Sequence, residues 1–340
     1  MSAMEKNVQD LIHKLEQTAL KTEFSGVISL FEDTGSLYNK AFGYRDVKNK
    51  LPNTTNTRFG IASGTKVFTA LGIGKLIDQG VISLGTTIRE IDQKYVTFID
   101  EYATIQHLLT HTSGIYDYYD EEIHQDVDNF FVEIPWCELE TPSDYYPLFK
   151  NKVMKFHPGE RFSYSNGGYV FLGMLIEKLS GMLYRNFVQE HVLKAADMPN
   201  SGFYAFNDLP EDTAIGYLED RKTTNIYHLP IRGGGDGGMY TTTEDLCSFW
   251  HKLFSNKILS RELTAIYLNT HWTFNDTDGY GCGIYKRIDN SMFSIVGGDA
   301  GVGFYSSYLV QEQLTINILS NITDGENAIR DIVIDFFSNG

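Results

Sequence analysis

Apolar residues recur at helical spacing near both ends of the chain. Within residues 8–19 an apolar side chain returns every three or four positions, which predicts an amphipathic opening helix. Residues 326–337 have a comparable pattern at the other end. We therefore expect a helix at the beginning and a helix at the end of the fold.

Short runs of β-branched and apolar residues predict strands in two distant parts of the sequence. Residues 26–31 and 36–44 flank the polar turn 32–35, which indicates a β-hairpin. Strand-like runs return late in the chain, at 281–286, 292–296, 304–310 and 314–319. Both groups are expected to contribute to a sheet whose first and last parts are distant in sequence.

The middle of the chain has a different pattern, because helical spacing alternates there with aromatic and acidic loops. Residues 63–80 predict a helix that Gly80 can end, and 105–110 and 169–179 predict two more. A later helix is expected to begin near Thr243, with acidic residues in its first turn.

These patterns predict an α/β (α+β) protein made as one unit of 340 residues. We expect an α/β subdomain from about 1–62 plus 235–340, and a helical subdomain from about 63–234 inserted between its two parts.

Charge and composition narrow the possible partners. The formal net charge is −16, which opposes binding to nucleic acid or to anionic lipid. No run reaches the roughly 20 apolar residues of a membrane span, and residues 1–25 lack a secretory pattern. We expect a cytoplasmic protein from the sequence as given, or an extracytoplasmic one if a signal peptide was trimmed. A monomer is favoured, with the oligomeric state open.

Two surface features carry no assigned chemistry at this point. The acidic residues between 117 and 128 are expected to form a solvated surface without a role. An aromatic group could either cover a cleft or pack within the helical block: Tyr116, Tyr118, Tyr119, Phe130, Phe131, Trp136, Tyr145 and Tyr146.

The first candidate for chemistry is Ser63-Gly64-Thr65-Lys66 at the start of a predicted helix. Positions i and i+3 lie on one helical face, so the amine of Lys66 can reach the hydroxyl of Ser63. A serine becomes an effective nucleophile when a base takes its proton, and a lysine can be that base when burial lowers its pKa. Backbone N–H groups at the helix start can stabilise an oxyanion.

About 100 residues later, Tyr164-Ser165-Asn166 stands in a turn-rich loop that enters a helix. Ser63-x-x-Lys66 followed by Tyr164-x-Asn166 resembles the β-lactamase and penicillin-binding-protein family of serine hydrolases, especially its class C and DD-peptidase-like branch. Residues 108–114 and 233–245 are similar to two further stretches of that family. The resemblance covers roughly residues 22–320.

The resemblance implies a β-lactamase/transpeptidase-like fold, a mainly antiparallel sheet flanked by helices. It also implies that Ser63 forms an acyl-enzyme, that Lys66 and Tyr164 relay protons, and that Asn166 holds the lysine and a substrate amide. Which of Lys66 and Tyr164 is the acylating base stays open.

The third motif of the family departs from its usual form. Where a Lys-Thr-Gly or His-x-Gly is expected, residues 295–301 read Ile-Val-Gly-Gly-Asp-Ala-Gly, and Ile295 or Val296 stands in the place of the cation. The loss disfavours recognition of a substrate carboxylate. Gly297 and Gly298 remain as substrate-binding candidates, and the N–H of Gly298 could complete an oxyanion hole with that of Ser63.

No metal or cofactor is required by this chemistry. His107 and His111 are four residues apart, but no third ligand accompanies them, and a structural role is the stronger interpretation. The three cysteines are far apart and encode neither a disulfide framework nor a zinc site. The glycine cluster 233–238 lacks a following Gly-Lys-Ser/Thr and is expected to be a structural loop near the site rather than a phosphate loop.

Three hypotheses follow. The first is a serine hydrolase acting on a small-molecule or peptide substrate through an amide, β-lactam or ester bond, as a β-lactamase, a D-Ala-D-Ala carboxypeptidase or an esterase. The missing cation favours an esterase or an unusual peptidase. The second is a penicillin-binding or sensor module that acylates with little turnover. The third is an inert scaffold that keeps the fold.

Overall fold

The computed structural model describes residues 3–32 and 35–338. Its α-helices are α1 Ala3–Lys21, α2 Thr65–Asp78, α3 Ile88–Ile91, α4 Ile105–Leu109, α5 Tyr146–Phe149, α6 Asn166–Ser180, α7 Tyr184–Val188, α8 Thr243–Phe254, α9 Arg261–Leu268 and α10 Asn327–Ser338. Its strands are β1 Gly26–Glu32, β2 Gly35–Phe42, β3 Tyr44–Asp46, β4 Leu51–Pro52, β5 Phe59–Gly60, β6 Tyr240–Thr241, β7 Trp272–Thr273, β8 Asp278–Tyr280, β9 Tyr285–Arg287, β10 Met292–Asp299, β11 Val302–Leu309 and β12 Leu314–Ser320.

The main sheet has eight strands in the order β2-β1-β12-β11-β10-β9-β8-β7. Every neighbouring pair in it is antiparallel. The first strand of the chain pairs with the last one, with Gly26 opposite Ser320 and Glu32 opposite Leu314. The predicted mixed fold with a mainly antiparallel sheet is therefore confirmed.

Side chains alternate between the two faces of the sheet, as the twofold repeat of a strand requires. On one face, Ile28 and its neighbours pack against Leu15 of α1 and Ile329 of α10. On the other face, Val27 joins a larger core that extends into α2, α6 and α8. The two amphipathic terminal helices thus cover one face, and the site is built on the other.

The helical block packs around α2 and α6, which carry the first two motifs. These helices approach closely at Gly72, where an added Cβ would come within 2.9 Å of the Ile176 side chain. The block holds α2 to α7, and all eight strands of the main sheet lie outside residues 63–234. The division into subdomains at 62/63 and 234/235 stays a prediction.

Most predicted elements appear within a few residues of their expected bounds, and one is wrong. Residues 281–286 do not form a continuous strand, because the chain reverses between β8 and β9, with Gly283 at a φ of 77°. In the predicted hairpin, β1 and β2 pair as expected, while Asp33 and Thr34 of its turn lie outside the described residues. Among the described helices, none combines the length and apolar composition of a membrane span.

Candidate active site

Ser63 lies in a tight 3₁₀ turn, Ala62–Gly64, that leads directly into α2. The residue before it, Ala62, has a φ of 42°, a left-handed conformation that costs a non-glycine residue free energy. The turn is fixed from outside, because β5 pairs with β6 and Ile61 N–H donates to Met239 O at 2.9 Å. The nucleophile candidate is thus presented on a strained turn that the surrounding structure holds in place.

Lys66 follows on the first turn of α2, and its side chain is only 2% exposed. Nζ donates to Ser63 Oγ at 2.8 Å, to Asn166 Oδ1 at 2.7 Å and to Asp236 O at 2.8 Å. Burial lowers the pKa of Lys66 from 10.5, and the nearby carboxylates, Asp236 first, act against this change. The lysine is therefore held in contact with the serine and is easier to deprotonate than a surface lysine.

Asn166 begins α6, and both ends of its amide are bound. Oδ1 accepts from Lys66, while Nδ2 donates to Tyr119 O at 2.9 Å and to Glu121 Oε1 at 3.1 Å. The helix start is capped by Ser165 and by Asp117, whose carboxylate accepts the N–H groups of Asn166 and Gly167, each at 2.8 Å. The amide is therefore fixed in orientation beside the lysine.

Tyr164 stands next to both partners. Lys66 Nζ lies 4.9 Å from the centre of its ring. Burial, followed by the charge of Glu121, raises the pKa of Tyr164 well above 10, while a hydrogen bond with Ser63 acts in the opposite direction. The phenol is consequently protonated at neutral pH and can serve as a proton donor.

The ring of His111 packs against the ring of Tyr164. The two rings lie 4.4 Å apart at an angle of 31°. Because Ser165 N–H can only donate, Nδ1 of His111 accepts its hydrogen bond at 2.9 Å, and the proton of the neutral ring is on Nε2, 3.1 Å from Tyr280 Oη. Burial, and then the charge of Lys66, hold the pKa of His111 well below 6.5. The structural role predicted for His111 is therefore supported, with a neutral ring that orients the tyrosine.

The strand side of the site is formed by the end of β10. A Cβ added to Gly297 would lie 2.1 Å from Ile61 O and 2.9 Å from Ser63 N, so only a glycine fits against the serine turn. Gly297 and Gly298 line one cleft of about 370 Å³ together with Ser63 and Tyr164. All the candidate site residues predicted from the sequence thus meet at this cleft or directly beneath it.

The same strand carries both residues that could stand in the place of the missing cation. Ile295 is 2% exposed and belongs to the core on the face of the site, whereas Val296 packs partly against the core under the terminal helices and borders the cleft. The charged residues of the cleft wall are Glu121 and Asp324, and no lysine or arginine is among its described lining residues. The cleft therefore offers little to a substrate carboxylate.

The prediction of a solvated acidic surface at 117–128 is wrong for two of its members. Asp117 is buried under the start of α6, and Asp120 is buried against Lys155, with Oδ2 and Nζ 2.7 Å apart. Glu121 and Glu122 remain exposed, as expected. Apart from the local hydrogen bond from Tyr119 N–H, the partners of Asp117 come from 49 and 50 residues later in the chain, so the sequence pattern does not reveal its burial.

The aromatic group is divided between the two roles that the sequence left open. Tyr119 lines the cleft and contacts Phe130, with ring centres 4.3 Å apart. Tyr145 is buried in the core instead. The glycine loop 233–238 lies against the site, since the carbonyl of its Asp236 accepts from Lys66.

No metal site is formed by the described residues, whose His, Cys, Asp and Glu side chains include no suitable group of three. His107 Nδ1 accepts from Thr104 N–H, and His111 is directed elsewhere. The three cysteines, all within the described residues, form no disulfide.

The chain is similar to known proteins over nearly its whole length. A family model described as Beta-lactamase matches residues 11–336. Penicillin-binding protein 4* of Bacillus subtilis (strain 168) is 29% identical over 340 aligned residues, covering 93% of this chain and 71% of that protein.

Two solved structures are also similar. A penicillin-binding protein from Bacillus halodurans is 34% identical with a TM-score of 0.89, covering 95% of this chain and 100% of that chain. An octameric penicillin-binding protein homologue from Pyrococcus abyssi is 27% identical with a TM-score of 0.81, covering 97% of this chain and 77% of that chain. The monomer favoured from the sequence stays a prediction.

Proposed function

Because the chain belongs to the beta-lactamase family of serine hydrolases, we propose that it hydrolyses an amide, β-lactam or ester bond through an acyl-enzyme on Ser63. The observation that carries this proposal is the 2.8 Å contact between Lys66 Nζ and Ser63 Oγ, in a setting where burial favours the neutral lysine. The nucleophile and a base are already in hydrogen-bond contact.

In the proposed first step, Ser63 Oγ attacks the carbonyl carbon while its proton passes to the Lys66–Tyr164 pair. The Lys66 ammonium donates all three of its hydrogen bonds, so it must lose one proton before it can act as a base. The neutral amine then donates to Asn166 and Asp236 and accepts a hydrogen bond from Ser63 O–H. Tyr164 is protonated at neutral pH and lies in the cleft, where it can protonate the leaving group.

The carbonyl oxygen of the substrate needs donors when it becomes an oxyanion. We propose the N–H groups of Ser63 and Gly298 for this purpose, since β10 approaches the serine turn as closely as a glycine permits. Water attack on the acyl-enzyme, with the proton transfers reversed, would then release the acid and restore Ser63.

The substrate class follows from the lining of the cleft. Neither Ile295 nor Val296 supplies a cation that could pair with a carboxylate, and Glu121 and Asp324 add negative charge. We therefore propose an ester or a peptide-like amide without a carboxylate next to the scissile bond, in preference to a penicillin or a peptide that ends in D-alanine.

The test is intact-protein mass spectrometry after incubation with an activated ester and, separately, with a penicillin. We expect an adduct that forms faster with the ester, that is absent in Ser63→Ala, and that is retained in Ser255→Ala, which removes an exposed serine hydroxyl. A Ser63→Ala protein that still forms the adduct and releases product would overturn the proposal.

A second candidate function, a penicillin-recognising module with little turnover, is favoured by one observation, the apolar Val296 in the third motif. The same spectra separate the two. An adduct that persists for hours with the penicillin and with the ester supports the sensor, whereas an adduct that decays while product accumulates supports the hydrolase.

A further inference from the structure

A second space opens beside the catalytic cleft, along the loop of residues 116–133. We call it the aromatic groove, and its apolar wall consists of Tyr116, Ile123, Phe130, Phe131, Val132 and Leu148. Its volume is about 660 Å³, within the roughly 300 to 1,000 Å³ that is typical of sites for small organic ligands. The aromatic groove is therefore large enough to hold part of a substrate.

The aromatic groove and the cleft meet at two residues. His124 and Gln125 line both spaces, and both side chains are exposed, so they form an open rim between the spaces. The ring centre of Phe130, in the groove, lies 4.3 Å from that of Tyr119, in the cleft, and 5.3 Å from that of His124. A substrate bound at Ser63 can thus extend over this rim into the groove.

The groove exposes large apolar side chains. Ile123 is 72% exposed and Phe131 is 63% exposed. Val132 and Leu148 join the same wall to the hydrophobic core. Because apolar surface in water is unfavourable, its concentration in one groove beside a reactive serine is typical of a surface that binds a ligand.

The charged side chains of the groove do not select an ion. The lining contains Asp126, Glu133 and Lys152, two negative charges and one positive. Asp126 accepts from Asn129 N–H at 3.2 Å and from Asn129 Nδ2 at 2.8 Å, and Lys152 Nζ lies 5.0 Å from the ring centre of Tyr116. An uncharged apolar group is consequently the ligand that suits this lining best.

The loop that forms the groove is tied to the rest of the molecule. Asp128 Oδ1 accepts from Thr323 Oγ1 at 2.8 Å, and Thr323 precedes Asp324, which lines the cleft. At the other side of the loop, Asp120 pairs with Lys155. These contacts fix the apolar wall relative to the cleft, and a wall fixed in advance loses less entropy when a ligand binds.

We propose that the aromatic groove binds an uncharged alkyl chain or aromatic ring of the substrate, attached to the ester or amide group that reacts with Ser63. This inference rests on the acyl-enzyme chemistry proposed above and specifies the substrate class for it. Each methylene group that is fully buried strengthens binding about fourfold, because its surface is removed from water. The groove thus recognises the part of the substrate that the uncharged strand side of the cleft does not.

The experiment measures kcat/KM at pH 7 for two series of esters below their critical micelle concentrations. The acyl series is p-nitrophenyl acetate, butyrate, hexanoate and octanoate. The alcohol series is the acetates of phenol, 4-butylphenol and 4-hexylphenol, whose leaving groups have nearly equal acidity. Each value is divided by the rate constant for hydrolysis by hydroxide, which corrects for intrinsic reactivity.

We expect this corrected kcat/KM to rise at least tenfold along one or both series, since a few buried methylene groups are enough for that factor. A rise in the acyl series places the groove on the acyl side of the scissile bond. A rise in the alcohol series places it on the leaving-group side.

Variants test whether the groove is the origin of the chain-length effect. Ile123→Ser combined with Phe131→Ser removes two exposed apolar side chains and is expected to lower the ratio of the longest to the shortest ester at least fivefold. Tyr102→Ser is the matched control, because Tyr102 is 64% exposed and lines neither the groove nor the cleft. It is expected to keep the wild-type ratio.

The outcomes are distinguishable from failure of the proposed function. A flat response along both series, or a double-variant ratio equal to that of the wild type, overturns the groove as a subsite, while a Ser63 adduct with p-nitrophenyl acetate leaves the hydrolase intact. Size-exclusion chromatography at the assay concentration adds a further outcome: an oligomer that the double variant dissociates would assign this face to contacts between copies and overturn the subsite. Loss of all hydrolysis together with loss of the Ser63 adduct overturns both proposals.

Discussion

The two sides of Ser63 are built in opposite ways. On the proton-transfer side, formed by Lys66, Tyr164 and Asn166, the polar groups of the lysine and the asparagine are bound by several partners, of which only Glu121 is exposed. On the strand side, Val296, Gly297 and Gly298 border the cleft and supply no charged side chain. Proton transfer and substrate recognition are therefore separable tasks. Proton transfer requires reacting groups with fixed partners, whereas recognition depends on which charges line the cleft.

The largest effect is expected on the proton-transfer side. Lys66→Arg keeps a positive charge but replaces the amine by a guanidinium that stays protonated, so it cannot accept the proton of Ser63. We expect acylation to slow by about 10² to 10⁴-fold, the range typical of general base catalysis. Stopped-flow acylation by an activated ester measures the rate.

The matched control for this variant is Lys75→Arg, a half-buried position on the same helix, where the wild-type rate is expected. An acylation rate for Lys66→Arg within threefold of the wild type would remove the lysine as a base and leave Tyr164 in that role.

An intermediate effect is expected on the strand side. Val296→Lys adds a cation at the edge of the cleft, where it can pair with a carboxylate of the substrate. We expect the ratio of kcat/KM for a substrate with a free carboxylate to that of its amide to rise about fivefold, or about 1 kcal/mol.

Val296→Met, which has similar length and no charge, is the control and should leave this ratio unchanged. If the methionine raises the ratio as much as the lysine does, packing rather than charge governs the strand side, and the comparison between the two sides fails.

The smallest effect is expected for Glu326, a buried residue that packs against the strand side. Glu326 is 2% exposed, its Oε2 is close to Gly303, which pairs with Gly298, and burial raises its pKa from 4.5 to about 7. The stabilisation from a raised carboxyl pKa is complete below pH 4.5 and is lost as the pH rises through 7. Glu326→Gln abolishes this dependence.

Relative to the wild type, Glu326→Gln should therefore gain on the order of 1 kcal/mol in the free energy of unfolding between pH 5 and pH 8. Urea unfolding at both pH values measures the change, with the exposed Glu312→Gln as the control. A difference that shrinks or stays constant between the two pH values would contradict the pKa assigned to Glu326.

Much of the fold was accessible from local patterns. The terminal helices, the N-terminal hairpin and the strands β10, β11 and β12 follow from apolar periodicity, because burial of one face imposes its repeat on the sequence. The segment 281–286 was predicted wrongly, since its apolar residues are buried on either side of a chain reversal that periodicity alone does not reveal.

The sequence by itself determined the chemical groups of the site, because Ser63 and Lys66 are brought together by one helical turn, and Tyr164 and Asn166 share one loop. Only the tertiary structure decided their surroundings. It placed Asp117 under α6, His111 behind Tyr164, Val296 rather than Ile295 in the cleft, and Asp236 beside Lys66. The physical reason is that burial and long-range hydrogen bonds set these contacts, and partners separated by 49 to 170 residues leave no periodic trace in the sequence.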